Sequence, residues 1–150
     1  LDAAKEAGVP AGQMHCIEKN KTYDLDGCSL RTLDCDHGDL SPEALGILQD
    51  FGFTRIYYSG DTAYNPERLR DAVHARPEIA LLPINGAFGN LNAQEAAKFA
   101  ADLGAKACIP HHFWTFPRHL GNPMDALEAF PKYAPACRLE LSTPGELLVY

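Results

Sequence analysis

No run of about 18 consecutive apolar residues occurs anywhere in the 150-residue chain, so the sequence contains no candidate membrane-spanning helix. The opening residues, LDAAKEAG, lack the basic flank and apolar core of a secretory signal, and the expected location is cytoplasmic. Positive charge is scarce. Thirteen Lys plus Arg against 20 Asp plus Glu give a net charge of −7, which repels phosphate backbones and anionic lipid; neither nucleic acid nor a membrane is an expected partner. Paired cysteines are also lacking. The five cysteines are odd in number and include no C-x-x-C pair and no regular spacing, which argues against a disulfide framework. Cys28 and Cys35 stand an odd number of positions apart in one expected strand and so face opposite ways. All five are read as reduced thiols, mostly buried. Internal repeats and low-complexity tracts are absent, and 46% apolar with 22% charged residues is the composition of one globular domain.

The elements that are present alternate. LDAAKEAG reads as the end of a helix closed by Gly8, and Gln13 to Lys19 and Tyr23 to Leu25 read as short strands. Asp26 and Gly27 turn the chain into a strand from Cys28 to Cys35. Between Ser41 and Phe51 the local signals conflict, because Ser41 before Pro42 is a good helix start while Leu45 to Phe51 is equally a strand; propensity alone favours the helix. Arg55 to Ser59 is β-branched and aromatic. Asn65 and Pro66 open a helix running to Arg76, Ile79 to Pro83 is a buried strand of the parallel type, and Asn92 with Glu95 forms a capping-box variant for a helix ending at Gly104. Ala105 to Pro110 is the next strand, followed by a short helix near 125–130 and a terminal hairpin of 138–142 with 147–150.

His37, Asp61, Asn85 and His112 each fall just beyond the carboxyl end of an expected strand, which is where layered α/β sheets build their ligand sites. Imidazole and carboxylate are also donors that zinc, manganese and iron accept. Plainer readings stand beside this one: His37 as a turn residue, Asp61 as an Asx turn or cap, Trp114 and Phe116 as packing under a loop. In an extended chain His111 and His112 point in different directions, so at most one is a ligand. His15, His74 and His119 have no comparable context and read as surface or packing residues.

Taken together, D-H-G at 36–38, Y-Y-S-G-D-T at 57–62, L-P-I-N-G at 82–86, G-N-L-N-A-Q-E-A-A at 89–97 and I-P-H-H-F at 109–113 resemble the second half of a metallo-β-lactamase-fold hydrolase. The set is most similar to the L-ascorbate 6-phosphate lactonase-like metal-dependent hydrolases. The resemblance implies that Asp61 bridges metal ions and that His112 and His37 are further ligands. It also makes Leu45 to Phe51 a strand paired with Arg55 to Ser59.

The family's H-x-H-x-D-H signature does not occur in these 150 residues. The implied fold is an α/β four-layer αββα sandwich, of which this chain supplies about the C-terminal half, one mixed sheet with its helices. Its uncovered apolar face calls for a homo-oligomer, a complementing N-terminal half or separate chain, or a rearranged fold. The implied chemistry is hydrolysis of a small-molecule lactone, ester or phosphoester by water activated on a divalent metal, Zn or Mn. Asp61 orients that water, Asn85 binds substrate or oxyanion, and Arg118 or Lys106 meets an anionic substituent. From another class comes a non-catalytic binding or assembly module with at most a partial metal site.

Overall fold

A computed structural model describes residues 2–114, 121–143 and 145–149. Its centre is one seven-stranded mixed sheet with strands in sequence order. These are β1 (Thr22–Leu25), β2 (Cys28–Asp34), β3 (Leu45–Asp50), β4 (Arg55–Tyr58), β5 (Ile79–Pro83), β6 (Ala107–His111) and β7 (Arg138–Leu139). The first four pair antiparallel and the rest parallel. The parallel crossovers are helical, through α2 (Arg70–Ala75), α3 (Ala93–Leu103) and α4 (Pro123–Tyr133), while α1 (Asp2–Glu6) buries no residue.

The register shows why the sheet has two unlike faces. Leu48, Tyr57, Ala80 and Cys108 are successive cross-strand partners and all are buried, in one core with Ala96, Phe99, Leu103 and Phe130 from α3 and α4. Side chains alternate along a strand, so their neighbours Ile47, Tyr58, Leu81 and Ile109 line the other face. They are only partly covered, and Tyr58 is 42% exposed.

The sheet decides the ambiguous segment: β3 is a strand, paired on both sides, and Gly46 within it lies where a Cβ would come 2.9 Å from the buried Tyr57 hydroxyl. The capping box forms in full, with the Asn92 side chain accepting from Glu95 N and Asn92 N donating to Glu95 Oε2. Several expectations are corrected. Residues 13–19 form no strand; a 3-10 turn, Ala11–Gln13, precedes a stretch held by Glu18 N donating to the Tyr23 hydroxyl and by the Thr32 hydroxyl donating to Glu18 O. The helix after Asn65 begins later, at Arg70, because Asn65 caps a turn ahead of it through Arg68 N. No terminal hairpin appears among the described residues; Arg138–Leu139 instead adds to β6 as a parallel edge. The three best-buried thiols are Cys35, Cys108 and Cys137, and all five cysteines are unpaired.

Candidate metal centre

Because β2 and β4 both run antiparallel to β3, and β5 and β6 run parallel to β4, four strands end at the same edge. His37 follows β2, Asp61 follows β4, Asn85 follows β5 and His112 follows β6 directly. The strand-end expectation therefore holds as geometry. His112 Nε2 lies 3.5 Å and His37 Nε2 lies 3.9 Å from the same atom, Asp61 Oδ2. These side chains are partly sheltered, at 23%, 13% and 37% exposure for His112, His37 and Asp61.

Bonds outside the sheet ladder bring His37 and Asp61 together. β3 begins late, so past its end the chain after β2 meets the chain after β4 directly. Ala63 N donates to Asp36 O at 2.7 Å, Asp36 N to the Thr62 hydroxyl at 3.0 Å, and the Cys35 thiol to Asp61 O at 2.7 Å. Burial and the nearby carboxylates raise the Cys35 pKa, partly offset by a hydrogen bond from Thr62 and by Arg68, so the thiol remains a neutral donor. The Asp36 carboxylate is occupied by Asn65 Nδ2 and Arg68 Nη1. Cys35, Asp36, Thr62, Asn65 and Arg68 carry no metal-site signature in the sequence, although Asp36 and Thr62 flank the two marked residues.

At His112 the backbone turns left-handed, with φ +62°, and the alternation of an extended chain stops there. His111 lies with the open-face residues, its ring 5.1 Å from Tyr58. Burial, and then the neighbouring His112, push its pKa down to about 4. The sign follows from linkage. An unfolded His titrates near 6.5, so below that pH the unfolded state binds a proton that the fold refuses. In chelator the metal-free chain is expected to lose stability as pH falls from about 6.5 to 4, by up to about 3 kcal/mol from this residue. His111→Phe should flatten that part of a denaturation-versus-pH curve, and an unchanged slope would mean that other groups carry it.

The donor chemistry fits a divalent ion. Two donors that share a metal at about 2.1 Å stand roughly 3.0 to 3.4 Å apart, close to the His112–Asp61 separation and somewhat inside the His37–Asp61 one. His37 Nδ1 is buried with no partner, whereas a ligating imidazole normally donates through its second nitrogen. Among the described residues no group of three or more His, Cys, Asp or Glu side chains is arranged to hold a metal as it stands. The three residues converge as an open set, with two imidazoles facing one carboxylate oxygen.

The other expected residues divide. Asn85 is at this edge, 8% exposed, with Nδ2 donating to Ala87 O at 3.3 Å and Oδ1 unpartnered. Lys106 is not. It precedes β6 at the opposite end of the sheet and lines a cavity of about 480 Å³ with Phe53, Glu78 and Arg138, so it cannot meet a ligand at Asp61. Arg118, like Phe116 and His119, lies outside the described residues. His15 and His74 are exposed, as expected, and Trp114 is 72% exposed.

A mixed sheet with helices on one face and His, Asp and His gathered at its strand ends defines a metallo-β-lactamase-like half-sandwich. Residues 2–113 match the family described as the beta-lactamase superfamily domain, and the chain belongs to that family. It is 39% identical over 130 residues to a UPF0173 metal-dependent hydrolase of Nitratidesulfovibrio vulgaris, covering 85% of this chain and 53% of that protein. The chain thus spans about half the length of the curated relatives it matches. Among solved structures, isothiocyanate hydrolase from Delia radicum gut bacteria superposes with a TM-score of 0.74 at 18% identity, over 99% of this chain and 64% of that one. A metallo hydrolase of Ignicoccus hospitalis gives 0.73 at 22% identity, over 87% and 57%. No helix among the described residues is long and apolar enough to cross a membrane.

Proposed function

We propose that this chain forms the C-terminal part of a metal-dependent hydrolase acting on a small lactone, ester or phosphoester, with His37, Asp61 and His112 as its share of the metal ligands. The observation that carries this reading is the approach of two imidazole Nε2 atoms to one oxygen of Asp61. A divalent ion bound there, Zn or Mn, supplies Lewis acidity and a water acidic enough to ionise near neutral pH. Imidazole donors favour Zn²⁺ over Mg²⁺. Asp61 holds its carboxylate toward the two histidines and orients what binds between them. Asn85 meets substrate through its unpartnered Oδ1; oxyanion binding would require its Nδ2 to leave Ala87 O.

Three donors are fewer than a hydrolytic centre of this kind uses, so the remaining ligands come from another segment or chain. That complement also covers the open face bearing Ile47, Tyr58, Leu81 and Ile109, and alone the chain self-associates through it. Light scattering at micromolar concentration should give a mass above 16.4 kDa together with binding of an apolar dye; a clean monomer that binds no dye would contradict this. With the complement present, hydrolysis of a lactone and phosphoester panel is expected to fall by more than roughly 100-fold in His112→Ala. Equal turnover by variant and native protein would overturn the assignment. That no three donors among the described residues form a finished metal cage favours a second reading, a non-catalytic assembly module descended from such a hydrolase, which native turnover would rule out.

A further inference from the structure

Buried polar atoms without a partner gather at this edge of the sheet. Among the described residues they are His37 Nδ1, Asn85 Oδ1, both Oδ1 and Nδ2 of Asn90, and His111 Nε2, against Tyr57 Oη alone elsewhere. Asn90 is the extreme case. It is 6% exposed, and its carboxamide brings two donors and an acceptor into the interior with none of them engaged. A native fold rarely leaves such a group unpaired, because it has given up its water bonds without replacement.

The loop that holds Asn90 has little freedom to turn it outward. Asn85 bridges Asn92, Gly86 N donates to Leu91 O at 2.9 Å, and Asn90 N donates to Ala87 O at 3.1 Å, closing a small hairpin. Leu91 N donates to Thr62 O at 2.8 Å, tying the hairpin to the residue after Asp61. Ile84 N donates to His111 O at 3.1 Å, tying its base to the residue before His112. Gly121 crosses so closely that a Cβ there would lie 2.8 Å from Asn85 Cα. Two carboxamides with unused hydrogen-bonding capacity are thus carried on a hairpin whose backbone is tied to the residues next to Asp61 and His112.

We propose that Asn85 and Asn90 form a subsite for an uncharged hydroxyl group carried by the substrate next to the bond that is cleaved. This deepens the hydrolase reading and rests on it. A hydroxyl both donates and accepts, so one group can engage Asn90 Nδ2 and an Oδ1 together, whereas an anion satisfies only the donors and an apolar group satisfies neither. A site built to bond a hydroxyl rejects the analogue that lacks it more strongly than an apolar pocket rejects a missing methylene, because its own polar groups are then left unpaired.

The test is side-chain NMR of the chain labelled at asparagine nitrogen, with its complement and Zn²⁺ present, and with two probes that differ by one hydroxyl: 3-hydroxy-γ-butyrolactone and γ-butyrolactone. The hydroxylated probe is expected to bind at least about 10-fold tighter and to move the Asn90 side-chain signals. In Asn90→Leu the preference should fall to near one. Asn90→Asp, which keeps the shape but loses the donors, should show the same fall if the leucine variant does not fold. Equal binding of both probes, binding of neither, or a preference that survives in the folded variants would overturn the subsite and leave the amides as holders of internal water. Failure of the underlying hydrolase reading shows separately, as Zn²⁺ affinity that is indifferent to Asp61→Ala.

Discussion

Phe99→Ala is expected to cost about 3 to 5 kcal/mol, most of the stability of a domain at the low end of the ordinary range. Phe99 is fully buried at the centre of α3 and holds two aromatic contacts, edge-on to Tyr57 of β4 at 6.2 Å and to Tyr64 at 6.4 Å. Tyr57 cannot follow into the vacated space, since its ring is wedged over Gly46. Tyr64 is tethered by its hydroxyl, which donates to Asp102 Oδ2 at 2.7 Å. The cavity therefore stays open, and a poorly collapsing site lies at the costly end of the range. Urea denaturation followed by circular dichroism measures the loss, and a cost below about 1.5 kcal/mol would show that the helix layer repacks freely.

Asp61→Ala should weaken Zn²⁺ binding by more than roughly 100-fold, or about 3 kcal/mol, while leaving the fold intact. The two effects separate because the residue's backbone and side chain have different tasks. Its carbonyl receives the Cys35 thiol, a bond that survives truncation, whereas its carboxylate faces the two imidazoles. Asp61→Asn keeps the shape and removes the charge, and should lose most of the affinity as well. Calorimetric titration gives the affinities and thermal unfolding gives the stability. Native-like affinity in both variants would mean that the ion sits elsewhere.

Much of the sheet is legible in sequence because parallel strands carry unbroken apolar runs: Ile79 to Pro83 is identified correctly, and the cap at Asn92 marks the start of α3. Strand direction then follows from the helical crossovers, and with it the shared edge of His37, Asp61, Asn85 and His112. Leu45 to Asp50 is not decidable locally, since Ser41 and Pro42 signal a helix and only pairing with β2 and β4 overrules them. Residues 13–19 fail in the opposite direction. They have the alternation of a strand but no neighbour offers them a ladder, and Tyr23 and Thr32 side chains take their place.

The centre itself is legible only in part. Asp61 and His112 stand out by residue type and place, yet what aligns His37 with Asp61 is the short reach of β3, which lets Cys35, Asp36, Thr62 and Ala63 bond across its end. That depends on a strand boundary one residue-long signal cannot fix. Asn90 is invisible for a related reason: in sequence it is a polar loop residue, and only the hairpin tied to Thr62 and His111 buries it.

On the proposed ligand assignment, His37 and His112 present their Nε2 atoms to one metal ion beside Asp61. Nitrogen-15 NMR of the histidine rings during Zn²⁺ titration tests it most directly. The Nε2 signals of His37 and His112 are expected to move together with one stoichiometry, while those of His15 and His74 stay in place. Shifts confined to other histidines, or Zn²⁺ binding with the His37 and His112 rings unmoved, would contradict it.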